Sequence, residues 1–338
     1  MKKHAIIPIF IPHLGCPNDC VFCNQKIITA TSASPDESMV AERIEAHLAT
    51  LRGRGLETIE VAFFGGSFTG LPMEKQGAYL AVAERYKKAG DIDKIRLSTR
   101  PDYIREKILS NLVEQQVDIV ELGVQSFDEE VLALSCRGHG VEEVYEACRE
   151  IRKHGLLLGI QLMIGLPGDS PEKSIASAKS ASSLSPDFAR LYPTAIFEDT
   201  KLARLYKVGR YLPFSREEML YTVKEMYKVL LAGGATILRV GLKSTDLVTT
   251  GSDRGGGYHP AFRQLVEGEI AMEQMNEALQ TLPHEVKSVT FSSSGRWFSA
   301  MIGHKGCNKK ALKERHPSLN IRYRKDPGLE DGVVKLSR

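Results

Sequence analysis

The sequence predicts an α/β protein, with a parallel sheet of six strands joined by helical crossovers and a small α+β extension after it. Three observations carry this. Short β-rich apolar runs alternate with longer helical ones from residue 5 to residue 243. Most of these runs are nearly continuous in apolar residues, the pattern of parallel strands buried on both faces. After about residue 243 the alternation stops, and a polar, glycine-rich segment at residues 249–257 leads into a different pattern. The expected division is therefore 1–243 for the main unit and 244–338 for the extension. Spacing alone leaves two forms open, an open doubly wound sheet or one curled into a partial barrel.

The first strand is expected over residues 5–11. Pro8 and Pro12 punctuate it, and no small-residue cleavage site follows, so it reads as a strand and not as a signal peptide. Ser34-Pro35-Asp36-Glu37 then offers an N-cap, a proline at the first helical position and a capping-box glutamate. Val40, Ile44, Leu48 and Leu51 recur behind it at helical spacing. Further strands are expected at 58–64, 94–99, 118–123, 157–164 and 188–192. Ser126-x-x-Glu129 and Ser215-x-x-Glu218 open two helices, and others near 73–88, 103–115, 141–153 and 171–183 fill the remaining gaps. In the extension, a helix over about 260–279 precedes two expected strands, 286–291 and 297–302, joined by a serine-rich turn ending at Gly295.

Of the 338 residues, 42% are hydrophobic and 26% charged, which suits a folded globular chain and excludes a disordered one. There is no run of eighteen apolar residues, so no membrane helix is expected and the protein is placed in the cytoplasm. Six cysteines stand at 16, 20, 23, 136, 148 and 307, three of them crowded together. In a reducing compartment that crowding points to metal or redox chemistry, not to disulfides. Cys148 is expected in the core; Cys307 lies among His304, Lys305, Lys309 and Lys310, which would favour its thiolate.

The net charge of +3 is unevenly spread, because between residues 287 and 325 ten Lys/Arg face one acid, Glu314. Such runs are often merely solvated, yet this one sits on an otherwise acidic body and suggests a polyanionic partner. Phe291, Trp297, Phe298 and Tyr323 lie among the cations, offering rings that could stack on exposed bases. Arg296, Lys305, Lys309, Lys310 and Lys313 are thus candidate RNA contacts.

The sharpest motif is Cys16-Pro-Asn-Asp-Cys20-Val-Phe-Cys23, on the loop that leaves the first strand. Parallel sheets place their active sites at that edge. Three thiolates there can bind three irons of a 4Fe–4S cluster and leave the fourth open. With His13 added, the same residues could instead hold one tetrahedral zinc.

The Cys-x3-Cys-x-aromatic-Cys spacing resembles the radical S-adenosylmethionine (SAM) superfamily. The resemblance implies a partial (β/α)6 barrel, a 4Fe–4S cluster on Cys16, Cys20 and Cys23, and SAM as cofactor. It also implies reductive cleavage of SAM to a 5′-deoxyadenosyl radical that takes hydrogen from a substrate, with an electron from a donor such as flavodoxin or ferredoxin. Gly65, Gly66 and Ser67 would meet the amino group of SAM, and the turn Gly165-Leu-Pro-Gly168 its adenine. Further segments, Ser98-Thr-Arg100-Pro-Asp102, Gly123-Val-Gln125, Arg137-Gly-His139, Tyr192-Pro-Thr and His259-Pro-Ala-Phe262, are similar to the Elongator catalytic-subunit family, which modifies wobble uridines of tRNA. Over about residues 4–270 that likeness places Arg100 and Gln125 near the SAM carboxylate and ribose. It implies a tRNA substrate, without the acetyltransferase domain that follows the radical core in that family. A radical enzyme acting on a small metabolite or a protein, or a non-enzymatic, metal-stapled RNA-binding protein, are the competing readings. Residues that touch the substrate are unassigned.

Overall fold

Seven parallel strands lie side by side in chain order, and the sheet they form curls into a half-barrel. They are β1 (His4–Ile11), β2 (Thr58–Gly65), β3 (Lys94–Thr99), β4 (Ile119–Gln125), β5 (Leu157–Ile164), β6 (Phe188–Pro193) and β7 (Thr236–Val240). The computed structural model of the chain describes residues 4–11, 16, 20–24, 35–242, 259–283 and 285–338. The glycine-rich segment 249–257, Ser34 and His13 lie outside them. Six strands are the expected ones and β7 is an addition, so the sheet is one strand wider than six β–α repeats predict. No helix among the described residues is long and apolar enough to cross a membrane.

The crossovers are α1 (Glu37–Leu51), α2 (Met73–Lys88), α3 (Glu106–Glu114), α4 (Glu129–Leu134), α5 (Val141–Lys153), α6 (Pro171–Ser183), α7 (Lys201–Lys207) and α8 (Arg216–Ala232). Their starts are set by local capping. Helix α8 has the expected capping box, with Ser215 Oγ accepting from the Glu218 N–H at 3.2 Å and Glu218 accepting from the Ser215 N–H at 2.9 Å. Helix α1 begins two residues later than expected, because the Asp36 carboxylate accepts from the Met39 N–H at 2.8 Å and makes Asp36 the cap. Asp128 likewise displaces Ser126 as the cap of α4, accepting from the Val131 N–H at 3.0 Å.

Strand alternation separates the two faces of the large sheet. One face carries Ile7, Ile9, Val61, Phe63, Ile95, Leu97, Val120, Leu122 and Leu191 into the main core beneath the helices. The other face is mixed, a charged row running among Phe10, Phe64 and Phe188, which corrects the expectation of strands apolar on both sides. Arg96, with 0% of its surface exposed, donates to Glu60 at 2.7 Å and to Glu121 at 2.6 Å. Arg190 holds the same Glu121 through two bonds of 2.7 and 3.0 Å, and Gln161 adds a third donor at 2.8 Å. Burial would raise the Glu121 pKa, but Arg190 and Arg96 outweigh it and hold the carboxyl below its usual range. A charged row thus crosses the concave side from β2 to β6.

The extension is built on α9 (Phe262–Gln280), whose first half inserts Phe262, Val266 and Ile270 into the main core. Its second half, with Ala271, Met275 and Leu279, covers a smaller core of Val289, Phe291, Met301 and Leu312. A three-stranded sheet closes that core: β8 (Ser288–Ser293) in the centre, β9 (Asn320–Lys325) parallel to it and β10 (Val334–Ser337) antiparallel. Between β8 and β9 lie α10 (Phe298–Ile302) and α11 (Cys307–Arg315). The expected strand at 297–302 is therefore a helical turn. Ser294 Oγ accepts from the Trp297 N–H at 3.1 Å, and Trp297 and Ala300 bury side by side in the main core, a helical i, i+3 pairing.

Candidate active site

The Gly65-Gly66-Ser67 turn closes onto the end of β1, just where the cysteine loop departs. The Gly66 N–H donates to the Ile11 carbonyl at 2.8 Å. Gly65 has φ +117°, and a Cβ there would sit 2.5 Å from the Ile11 oxygen, so only glycine fits. The Ser67 N–H reaches the Cys16 sulfur. Ser67 Oγ bonds Thr99 Oγ1 at 2.8 Å and accepts from the Arg100 N–H at 3.4 Å. The glycine turn, the first cysteine and the end of β3 thus form one connected unit.

Cys20 and Cys23 are positioned by the residues between them. Val21 is buried with Ile196, Leu202 and Tyr211, and Phe22 packs against the same group. The Val21 N–H donates to Ser135 at 3.2 Å, its carbonyl accepts from Leu202 at 2.8 Å, and the Cys23 N–H turns back to Cys20 at 3.0 Å. The Cys20 sulfur accepts from Arg137 Nη1 at 3.2 Å, while Arg137 also holds the Gly123 carbonyl. Arg100 donates to Asp102 at 2.9 and 3.1 Å and to the Arg137 carbonyl. Burial pushes the Cys16 thiol up, against the pull of Arg100 and the Ser67 N–H.

Among the described residues no three His, Cys, Asp or Glu side chains gather closely enough to hold a single metal ion. The donor set still fits an iron–sulfur cluster in its chemistry. Three thiols share a loop, two of them beside guanidinium groups, and the adjoining turn aims an N–H at sulfur, so cations and a donor stand near the charge that thiolate ligands carry once bound to iron.

The remaining predicted residues flank this unit. A register shift between Gly123 and Gln125 interrupts the β4–β5 pairing, and Gln125 adopts φ +75°. Its Oε1 is buried without a hydrogen-bond partner among the described residues, so it is not a satisfied core amide. Gln125 Nε2 and Arg137 Nη2 both border Gly123, 3.1 and 3.7 Å from where a Cβ would stand. Gly165 and Gly168 have φ +79° and +77°. The Gly165 N–H donates to Asp169 at 2.7 Å and its carbonyl accepts from the Tyr211 hydroxyl at 2.6 Å, which pins the turn from both sides.

Arg137, Asp169 and Tyr211 were not among the expected site residues. Arg137 lies within a motif quoted above and Asp169 directly follows Gly168, a local contact, whereas Tyr211 reaches Gly165 across 46 residues with no sequence signal. His139 is buried beside Arg137, and burial together with that cation lowers its pKa to about 4, so it is neutral. The RNA candidates are elsewhere, on the extension. Lys305, Lys309, Lys310 and Lys313 are exposed, and Arg296 pairs with Asp331 at 3.1 Å. The aromatic residues expected among them mostly serve the core: Phe291 and Trp297 are 0% and 3% exposed, which removes them as base-stacking platforms.

The sequence pattern of the radical SAM superfamily matches residues 10–180, and that of the radical SAM C-terminal domain matches 186–272. The tRNA uridine(34) acetyltransferase of Dehalococcoides mccartyi is 27% identical over 293 residues, covering 77% of this chain and 63% of the relative. Elongator complex protein 3 of Saccharomyces cerevisiae is 24% identical over 310 residues, covering 81% and 55%. The chain thus spans less than two thirds of either relative. The structure of the archaeal Methanocaldococcus infernus Elp3 with an N-terminal deletion superposes with a TM-score of 0.65 at 22% identity, over 82% of this chain and 64% of that one. With half of its length matched by the family pattern and its half-barrel shared with a solved member, the chain belongs to the radical SAM superfamily, whose cofactors are a 4Fe–4S cluster and S-adenosylmethionine.

Proposed function

We propose that this chain is a radical SAM enzyme that modifies tRNA, with Cys16, Cys20 and Cys23 as the cluster ligands. The observation that carries the reading is the joining of the cysteine loop, the Gly65-Gly66-Ser67 turn, Arg100 and Arg137 at the C-terminal edge of the sheet. Cys16, Cys20 and Cys23 would hold the cluster, which when bound supplies one-electron reductive cleavage of SAM, with a donor such as reduced flavodoxin or ferredoxin, to methionine and a 5′-deoxyadenosyl radical that takes hydrogen from the substrate.

The chain's own residues bind and orient. Gly65, Gly66 and Ser67 present backbone to the amino group of SAM, since no side chain blocks the approach. Gln125, with an unused carbonyl oxygen, and Arg100, oriented by Asp102, serve the carboxylate and ribose. Gly165 and Gly168 shape the turn over the adenine, held by Asp169 and Tyr211. Arg137 keeps the Cys20 sulfur in a cationic setting.

The tRNA substrate is supported by the names of the relatives and by the basic segment of residues 287–325. In this reading residues 1–243 carry the chemistry and 244–338 hold the RNA, with Arg296, Lys305, Lys309, Lys310 and Lys313 as contacts. The test is anaerobic reconstitution with iron and sulfide, then dithionite and SAM, with 5′-deoxyadenosine as the readout. Wild type is expected to release it and the Cys16/Cys20/Cys23→Ala triple variant to release none. Zinc in place of iron, with no SAM cleavage, would overturn the proposal.

A further inference from the structure

The three-stranded sheet of the extension turns one face to the small core; on the opposite face its two edge strands carry exposed cations, while Ser292 between them is buried. On the core side, Val289 and Phe291 are buried, and Ile321, Tyr323, Val334 and Leu336 pack against them. Alternation along each strand sends the intervening residues the other way. The register then sets two rows across the sheet: Lys335, Ser292 and Arg324 in one, Ser337, Thr290 and Arg322 in the next. Arg322, Arg324 and Lys335 are exposed. Neither row contains an acid, and among the described residues no ion pair joins these three cations to a carboxylate. The nearby pair, Arg296 with Asp331, leaves them out.

We propose that this face is a docking surface for the phosphate backbone of a folded RNA. This rests on the RNA reading above and deepens it by naming a second surface, apart from the lysines of α11. Strand geometry separates Arg322 from Arg324 by about 7 Å, and Lys335 from Arg324 by about 10 Å across the sheet. Three exposed cations at that spacing can bond several successive phosphates. The face has no aromatic side chain, because Phe291 and Tyr323 point into the core and lie 6.2 Å apart there. It therefore holds RNA by charge and does not stack on bases, unlike sheet platforms that read sequence through exposed rings. Its role is to orient the substrate, with sequence discrimination left to the site at the end of the large sheet.

The alternative is that β9 and β10, the two edge strands, carry cations simply to prevent edge-to-edge pairing. Binding of the full chain to a fluorescent tRNA transcript, followed over a salt series, separates the two. The Arg322→Gln/Arg324→Gln/Lys335→Gln variant is expected to bind at least tenfold more weakly. The slope of log affinity against log salt should fall by about 2 to 3, near one per lost phosphate contact. An unrelated transcript of the same length should show the same loss. A melting temperature equal to wild type excludes misfolding as the cause. If wild type binds tRNA and the variant keeps its affinity and slope, this inference fails while the tRNA reading stands; self-association of that variant in sedimentation would assign the cations to guarding the edges. If wild type binds no tRNA, both fail.

Discussion

Arginines occur on both sheets, in opposite circumstances. Arg96 and Arg190, on the concave side of the large sheet, are buried, and each is fixed by Glu121. Arg322 and Arg324, on the small sheet, are exposed and have no carboxylate partner among the described residues. Burial explains the difference. A desolvated charge is tolerable only with a partner and hydrogen bonds, whereas a solvated charge needs neither and stays available for a ligand. The same residue type is thus structural in one sheet and free to bind in the other. Charge pairing, more than charge count, separates the two.

The largest expected effect comes from breaking the buried row. Glu121→Ala would leave Arg96 and Arg190 close together without their shared counter-charge, at a cost of about 3 to 5 kcal/mol. Denaturant unfolding should show this as a large fall in midpoint. A fall under about 1 kcal/mol, the scale of an exposed pair, would mean that water reaches the row.

His139 sharpens the comparison, because it is buried beside Arg137 and meets that setting by giving up its charge. Its pKa is lowered to about 4 in the folded chain, first by burial and then by Arg137. The unfolded chain protonates it from pH 6.5 downward while the folded chain does not. The stability it permits is therefore complete above pH 6.5 and drains away as the pH falls toward 4, by up to about 3 kcal/mol. A His139→Gln variant should lose less stability than wild type over that window; equal slopes would show that His139 takes its proton in the folded state.

The smallest effect belongs to the exposed cations. Replacing Arg322, Arg324 and Lys335 should move stability by no more than about 0.5 kcal/mol per site, as for ordinary surface changes. A larger drop in melting temperature would place them in the structural class with Arg96.

Much of the fold is legible in the sequence, for identifiable reasons. Six strands are visible because each is a β-rich run between helix signals, and α8 because both halves of its capping box are local. What escapes is long-range. Strand β7 is five residues long and gains its meaning only by pairing with β6. The helical turn at 298–302 follows from the Ser294 turn that leads into it and the burial of Trp297, against a β-rich composition. Glu60, Arg96, Glu121 and Arg190 stand at alternate positions in otherwise apolar strands, and each looks isolated until the sheet brings them together. At the site, the glycines and cysteines are legible as motifs. Arg137 is not legible as a neighbour of Cys20, since 117 residues separate them.

The most direct test of the cluster and SAM assignment is the electron paramagnetic resonance spectrum of the reconstituted, reduced protein, recorded with and without SAM. The account predicts a 4Fe–4S signal in wild type whose shape changes when SAM binds, and no such signal in the Cys16/Cys20/Cys23→Ala variant. A signal indifferent to SAM, or one that survives in the variant, would contradict the assignment of these residues.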